Sequence, residues 1–200
     1  GFVFNMWAEN GWHGYAVKGK CVQKPEDMTG LKMRSQESRI HLETYKAFGA
    51  APVELPVPEV LSSLQTGVVD GFSNTPLFSF ATSWYQGVDH FTYTKHMYQP
   101  GIIVYSKKWF DAQPKNVQAI LIKSDDERAG IAGVRDITEP LLENFTHAGI
   151  KLCRLDPSQR AAFVAKVKPV WDAFAKRGKG NKQILDAVLK AKAAYAKSKK

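Results

Sequence analysis

Apolar positions along the chain fall into short runs typical of strands and longer periodic stretches typical of helices. The first run opens the chain and predicts a buried strand, and the second alternates apolar with basic residues. The four segments predicted as strands are Gly1–Trp7, Leu31–Arg34, Val68–Phe72 and Ile102–Tyr105. Residues 8–24 are mixed and punctuated by glycine, which predicts mostly loop. The prolines of residues 52–57 predict an extended segment at a sheet edge or in a loop.

Besides a short helix that starts at Pro25 and is ended by Thr29–Gly30, two helices are predicted between these strands. Ser35 can cap a helix that continues to Phe48, and Gly49 ends it. The second helix covers Glu59–Thr66 and stops at Gly67. Strand, helix and strand at these spacings predict an α/β fold with parallel strand pairing.

The second half of the chain is predicted to be helical. Apolar residues at helical period extend over Pro114–His147, with a polar break at Ser124–Arg128, and Pro140 should kink or restart the helix. Two further amphipathic helices are predicted over Phe163–Phe174 and Ile184–Tyr195.

Composition and charge narrow the class of protein. Hydrophobic residues make up 44% and charged residues 24%, as in globular domains, and no apolar run reaches the length of a membrane span. The net charge of +9 comes from residues 157–200, which hold twelve basic and two acidic side chains. Such a basic end can bind nucleic acid or an anionic membrane, or it is simply a solvated surface.

The sequence contains no motif typical of catalysis. Gly14–Cys21 approaches the phosphate-binding loop G-x-x-x-x-G-K-[ST], but it ends on a thiol where Mg²⁺ needs a hydroxyl, and Pro25 interrupts any following helix. The five histidines lack H-x-x-x-H spacing, so a zinc site has weak support. These absences favour binding over catalysis, and an enzyme of small acids whose catalytic half lies elsewhere is the least favoured alternative.

The two cysteines, Cys21 and Cys153, could pair if the protein is extracytoplasmic. Because sequence does not give the distance between them, a disulfide and two free thiols both stay open.

Polar residues at two strand ends form a candidate ligand site. Arg34 ends one predicted strand just before a helix, and Asn74 follows the strand Val68–Phe72. In open α/β sheets ligands bind at the carboxyl ends of strands, where an Arg fork and a helix N-terminus suit a carboxylate. Phe72 could form an apolar wall. The alternatives are a surface ion pair for Arg34, a turn for Asn74 and the core for Phe72.

Three ordered segments carry a family resemblance: GLKMR at 30–34, FGAAP at 48–52, and EVLSSLQTGVVDG at 59–71 followed by Asn74. With the lead-in PEDMTG at 25–30, they resemble the substrate-binding proteins of tripartite ATP-independent periplasmic (TRAP) transporters, of the C4-dicarboxylate-receptor (DctP) type. The resemblance is clearest over residues 7–110.

The resemblance implies an α/β, two-lobed fold like that of type II periplasmic binding proteins. Residues 1–99 would belong to the second lobe. Residues 100–139 would return into the first lobe and include a long helix lying across both lobes. Residues 140–200 would form the second lobe's C-terminal helices and a basic tail. Because family members are longer, the chain is expected to be an N-terminally truncated fragment.

The implied function is that of a periplasmic receptor, made with a signal peptide, that captures a small organic acid by closing its lobes. It would deliver the acid to the membrane permease subunits of a TRAP transporter. The resemblance implies no enzyme activity, no cofactor, no metal ion and no nucleic-acid partner, and a monomer.

The resemblance also assigns site residues. Arg34 would be the main carboxylate clamp, Asn74 a polar group of the pocket, and Gln36, in the same motif as Arg34, a further contact. Many members carry a second Arg where E-N-G-W-H at 9–13 places His13, which is only partly charged at neutral pH. A dicarboxylate is therefore in doubt, and a monocarboxylate fits as well. The aromatic residues that could line the pocket, with the core as alternative, are Trp12, Tyr15, Phe72 and Trp84.

Overall fold

The computed structural model describes residues 1–123 and 126–198. The strands of these residues are β1 (Phe2–Trp12), β2 (Gly14–Val17), β3 (Lys32–Ser35), β4 (Ala51–Glu54), β5 (Gly71–Asn74), β6 (His90–Tyr93), β7 (Tyr98–Ser106) and β8 (Lys151–Arg154). The helices are α1 (Arg39–Ala47), α2 (Val60–Gln65), α3 (Pro76–Ala81), α4 (Lys107–Asp111), α5 (Lys115–Leu121), α6 (Glu127–Asp136), α7 (Thr138–His147), α8 (Pro157–Lys176) and α9 (Lys179–Ser198).

A six-stranded mixed sheet lies at the centre, in the order β4-β3-β5-β2-β6-β8. β3 pairs in parallel with β4 and β5, and β6 pairs in parallel with β8, which confirms the predicted α/β fold and its parallel pairing. β4, which contains Pro52, is an edge strand as predicted.

The prediction of mostly loop over residues 8–24 was wrong, because residues 8–12 extend β1 and residues 14–17 form β2 in the middle of the sheet. β2 lies between β5 and β6 and runs antiparallel to both. All four of its residues are buried. A strand buried on both faces shows no alternation of polar and apolar residues, so its Gly-Tyr-Ala-Val sequence carries no period to detect.

The predicted helix starts and strand bounds shifted by a few residues. Ser35 ends β3 rather than capping a helix, and α1 begins after Ser38. The second predicted helix is confirmed as α2. The strand expected at Val68–Phe72 begins only at Gly71, whose missing Cβ would lie 2.3 Å from the carbonyl oxygen of Ala16 on β2.

The sheet separates two apolar layers. On one face α2, α3 and α7 contribute to a cluster with buried members Ala16, Val60, Leu64, Val69, Phe72, Trp84, Phe91, Tyr93, Leu142, Phe145 and Ile150. On the other, α1 and α8 contribute to a cluster with buried members Tyr15, Val17, Val22, Met28, Met33, Tyr45, Phe48, Ala50 and Phe163. Both faces of the sheet are therefore covered, as in α/β folds.

β1 and β7 form a separate antiparallel ribbon with two irregularities in register. The first strand was expected to be buried, but Phe2, Phe4 and Trp7 are 77%, 50% and 53% exposed. Ile102 and Ile103 on β7 are also exposed. The apolar composition predicted the strand correctly and its burial wrongly, since a two-stranded ribbon leaves much of its side-chain surface open.

The helical stretch at 114–147 is three helices, α5, α6 and α7, instead of one long helix. Residues 124–125 of the predicted polar break lie outside the described residues. Pro140 lies in the first turn of α7, where its missing N–H removes no helical hydrogen bond. The helix therefore restarts there, which is one of the two outcomes predicted for Pro140.

α8 and α9 confirm the last two predicted helices. Asp156 and Gln159 form a capping box at the start of α8. In the described part of the chain, no helix combines the length and the apolarity needed to cross a membrane.

Cys21 and Cys153 form a disulfide, with Cα atoms 6.1 Å apart and a sequence separation of 132. The bond joins the loop after β2 to β8 at the edge of the sheet. It therefore closes a loop that includes most of the central sheet.

Replacing both cysteines, Cys21→Ser with Cys153→Ser, should lower the free energy of unfolding by about 2–4 kcal/mol, because the open chain gains entropy when unfolded. Urea unfolding measures this loss. Dithiothreitol should lower the wild-type midpoint toward that of the double variant and leave the double variant unchanged. A wild-type midpoint that does not respond to reductant would show that the bond contributes no stability.

Candidate functional site

The carboxyl ends of β3 and β5 bring the main candidate residues to one edge of the sheet. Arg34 is the register partner of Phe72 in this parallel pair, and Asn74 ends β5. Gly14 on β2 lies opposite Asn74, so His13 adjoins the same edge. The structure thus places Arg34 and Asn74 at one edge, as their strand positions predict, and it adds His13, which only the resemblance had named.

Arg34 is held in place from two sides and is only 5% exposed. Its Nε and Nη2 both donate to the carbonyl oxygen of Leu55, at 3.1 and 2.9 Å. The guanidinium carbon lies 5.1 Å from the ring centroid of Trp84, a cation–π contact. Nη1 makes no hydrogen bond to another described residue. Burial lowers the pKa of Arg34, but the side chain stays charged at neutral pH.

Asn74 presents a donor at the same edge of the sheet. Its Oδ1 accepts a hydrogen bond from the backbone N–H of Thr75 at 2.8 Å, and Thr75 in turn caps α3 by accepting from the N–H of Phe78. With Oδ1 engaged, the Nδ2 amine is the part of Asn74 that makes no hydrogen bond to another described residue. One fixed cation and one fixed neutral donor therefore occupy the same sheet edge.

His13 belongs to a buried chain of hydrogen bonds. Its Nδ1 and Nε2 lie 2.9 Å from Ser73 Oγ and 2.8 Å from Gln99 Oε1. Ser73 Oγ also lies 3.1 Å from Nε2 of His96, whose Nδ1 meets Thr94 Oγ1 at 2.5 Å. The Thr94 hydroxyl donates to Nδ1 of His96, and the Ser73 hydroxyl donates to Nδ1 of His13. The Nε2–H of His96 then donates to Ser73 Oγ, and the Nε2–H of His13 donates to Gln99 Oε1. Every hydrogen bond of the chain is therefore made with both imidazoles neutral.

Burial sets the protonation of these histidines. Desolvation, and then the nearby charge of Arg34, lower the pKa of His13 to about 4, although its bond to Gln99 opposes this shift. Desolvation lowers the pKa of His41 to about 4 and that of His96 well below its ordinary value. All three rings are therefore neutral at pH 7.

The other two candidates lie differently. Gln36 is exposed on the loop after β3, and its backbone N–H points to Nδ1 of the buried His41 at 3.4 Å. Phe72 is fully buried and packs edge-on against Trp84, with ring centroids 5.2 Å apart. Phe72 thus occupies the core, the alternative weighed for it, and supports the ring on which Arg34 rests.

Sequence reasoning missed the partners of His13. Gln99, Ser73 and His96 come from three different segments, and Gln99 lies 86 residues from His13. No local pattern marks such a contact. Trp84, considered for the pocket from the sequence, lies beneath Arg34 with 1% of its surface exposed.

A cavity of about 280 Å³ lies between α1 and α8, on the face of the sheet that carries Tyr15, and His96 of the hydrogen-bonded chain forms part of its wall. Its walls are mainly apolar and aromatic, and Gln36 stands at the end nearest the loop after β3. The lining residues that characterise it are Tyr15, His41, His96, Phe163, Val167 and Trp171. Among the residues described here, no cluster of His, Cys, Asp and Glu could hold a metal ion.

An α/β sheet covered on both faces, with polar side chains at the carboxyl ends of its strands, is the architecture in which small-ligand sites are commonly found. The chain belongs to the bacterial extracellular solute-binding proteins, family 7 (DctP), whose family model matches residues 2–177.

Curated relatives and solved structures agree with this assignment. A solute-binding protein of Verminephrobacter eiseniae is 32% identical over 178 residues, covering 88% of this chain and 53% of its own. The C4-dicarboxylate-binding periplasmic protein DctP of Rhodobacter capsulatus is 34% identical over 158 residues, covering 76% of this chain and 47% of its own. The chain thus spans about half the length of these curated relatives.

The crystal structure of a TRAP periplasmic solute-binding protein from Ralstonia eutropha H16 superposes with a TM-score of 0.86 at 27% identity. The match covers 98% of this chain and 63% of that one. The similarity confirms the TRAP-receptor resemblance and the two-lobed periplasmic-binding-protein fold to which the chain contributes.

Proposed function

We propose that the protein carrying this chain is a receptor that binds a small organic acid, with the carboxylate at Arg34. The observation that carries the proposal is the guanidinium itself. The carbonyl of Leu55 accepts from two of its nitrogens and the ring of Trp84 lies against it, and Nη1 makes no hydrogen bond to another described residue. A charge held in this way is prepared to bind a carboxylate without reorganising.

Lobe closure is the mechanism that fits this half-site. A ligand that bridges Arg34 and a second lobe stabilises the closed state by its greater affinity for that state. The exposed apolar ribbon of β1 and β7 supports the proposal, because large exposed apolar surfaces mark contacts with other protein parts. The closed receptor then delivers its acid to the membrane permease of a TRAP transporter.

The disulfide supports a periplasmic location for this receptor. Bonds such as Cys21–Cys153 persist in oxidising compartments, of which the bacterial periplasm is one.

The names of the relatives support a carboxylate ligand but differ in its type. The Ralstonia structure contains bound (S)-2-hydroxy-2-methyl-3-oxobutanoate, which has one carboxylate. The Rhodobacter protein is named for C4-dicarboxylates, which have two. A single carboxylate is the group common to both, and it is the group that Arg34 suits.

The alternative function, binding of nucleic acid or an anionic membrane by the basic end, has less support. Several of its basic side chains are engaged inside the chain. Arg160 donates to the carbonyl oxygens of Thr94 and Lys95, and Arg177 pairs with Glu43 on α1. These basic groups help to attach α8 to the rest of the fold, which accounts for part of the charge without a polyanion.

A thermal-shift screen tests the proposal, using the protein at its natural length because this chain spans about half of its relatives. Each monocarboxylate in the panel is matched with its neutral amide, such as propionate with propionamide. A carboxylate at about 100 times its Kd should stabilise the protein by about 2.7 kcal/mol, and its amide should not. Equal shifts with acids and amides, or no shift with any carboxylate, would overturn the proposal.

A further inference from the structure

The cavity between α1 and α8 has the size and the walls of a small-molecule site. Its volume of about 280 Å³ approaches twice the roughly 150 Å³ of an engineered apolar cavity that binds benzene. We propose that it is a second binding site, which takes a small neutral aromatic molecule with one hydrogen-bond acceptor, such as a ketone oxygen, directed at His41. This inference is independent of the proposed carboxylate site, so either can fail without the other.

Aromatic rings form the inner wall of the cavity. Tyr15 stacks on His96 with ring centroids 4.0 Å apart, and the ring of Phe163 lies 6.3 Å from that of Tyr15. Phe48 meets Phe163 edge-on at 5.3 Å. Tyr15, Phe48 and Phe163 are all buried, so their packing holds these rings in place. An aromatic ligand can add its own stacked or edge-to-face contacts to such a wall.

His41 places a polar group without a partner in the wall. The backbone N–H of Gln36 donates to its Nδ1 at 3.4 Å, and burial lowers the pKa of the ring to about 4, so the neutral ring carries its proton on Nε2. Nε2 is buried, and in the described part of the chain it has no hydrogen-bond partner. Because a buried N–H without an acceptor costs free energy, a ligand oxygen at this point is stabilising.

The charged side chains of the wall favour a neutral ligand. The guanidinium of Arg160 is engaged, since it donates to the carbonyl oxygens of Thr94 and Lys95. Lys192 is exposed, so water solvates its ammonium at the outer rim of the cavity. The rest of the lining is mainly apolar, and it gains van der Waals contacts when an apolar body of matching size enters.

The cavity does not share its lining with the proposed carboxylate site. Arg34 lies against Trp84, which belongs to the apolar layer on the other face of the sheet, and neither residue lines the cavity. The nearest link is His96, which reaches His13 through the hydroxyl of Ser73. The two ligands would therefore contact different side chains and could be bound at the same time.

The test compares 1-indanone with indane, which has the same rings but lacks the ketone oxygen. Both are titrated into the natural-length protein with ¹³C-labelled valine methyl groups and followed by NMR. 1-Indanone should show intermolecular NOEs to the methyl groups of Val167, which lines the cavity. It should also bind about three- to tenfold more tightly than indane, the range for one net hydrogen bond. His41→Phe keeps an aromatic ring but removes the donor, so this preference should disappear.

A filling variant and a matched control locate the site. Val167→Phe fills part of the cavity and should weaken binding of 1-indanone by about tenfold or more, since the probe loses its space. Val188→Phe makes the same change on α9, at a residue that is 58% exposed and does not line the cavity, and it should leave the affinity unchanged.

Two results would overturn the inference. The first is the absence of NOEs to Val167 in wild type, the outcome expected if water alone or another part of the protein occupies the cavity. The second is equal affinity of wild type for 1-indanone and indane. Neither result bears on the carboxylate screen, which tests the proposed function separately.

Discussion

Arg34→Ala should abolish measurable carboxylate binding or weaken it by roughly 30- to 5,000-fold, the range for removing one partner of a buried charge pair. The reason is that Arg34 is a buried cation at the strand ends, and its Nη1 makes no hydrogen bond to another residue that the structure describes. Isothermal titration with an acid from the screen measures the effect. Circular dichroism and thermal unfolding should show a folded protein, although the contact with Trp84 is lost.

Two controls separate the role of the guanidinium from charge and from folding. Arg34→Lys keeps the charge but loses the planar fork that grips Leu55, so binding should still weaken. Arg39→Ala removes a cation from α1 whose side chain is 73% exposed and paired with Glu43, and it should leave affinity unchanged. If Arg34→Ala binds the acid as tightly as wild type, the site is elsewhere.

Acid should destabilise the protein well before its carboxylates titrate. The pKa of His13 and of His41 is about 4 in the folded state, chiefly because burial disfavours the charged ring, against 6.5 when unfolded. Between these values only the unfolded chain binds the proton, so stability falls as pH drops from 6.5 to 4. The full effect is about 3 kcal/mol for each of the two rings.

Urea unfolding at pH 7, 6, 5 and 4 measures this loss. His41→Gln should reduce the slope of the unfolding free energy against pH by the contribution of about one proton, because the variant removes one of the groups that take up a proton on unfolding. His147→Gln replaces an exposed histidine and should keep the wild-type slope. Stability that stays constant from pH 7 to pH 5 would show that these rings are not buried as neutral groups.

Much of the sheet was predictable from local patterns. β3 and α2 lie within a residue or two of their predicted bounds, because alternation and a stop at Gly67 mark them locally. β2 was missed since a strand buried on both faces carries no alternation. The exposure of β1 was missed because composition predicts a strand but not what covers it.

The candidate site was also predictable only in part. Arg34 and Asn74 were predictable because strand ends in α/β sheets place their side chains at one edge. The surroundings of His13 were not, since Gln99, Ser73 and His96 reach it only through the fold. The residue type suggested partial charge at neutral pH, and only burial and hydrogen bonding show that the ring is neutral.

The most direct test of the central claim is a crystal structure of the natural-length protein with a carboxylate from the screen. The ligand carboxylate should lie about 2.7–2.9 Å from Nη1 of Arg34, the distance of a charge-assisted hydrogen bond, with a ligand oxygen facing Nδ2 of Asn74. A bound acid whose carboxylate contacts other residues, with Nη1 of Arg34 left untouched, would contradict the account.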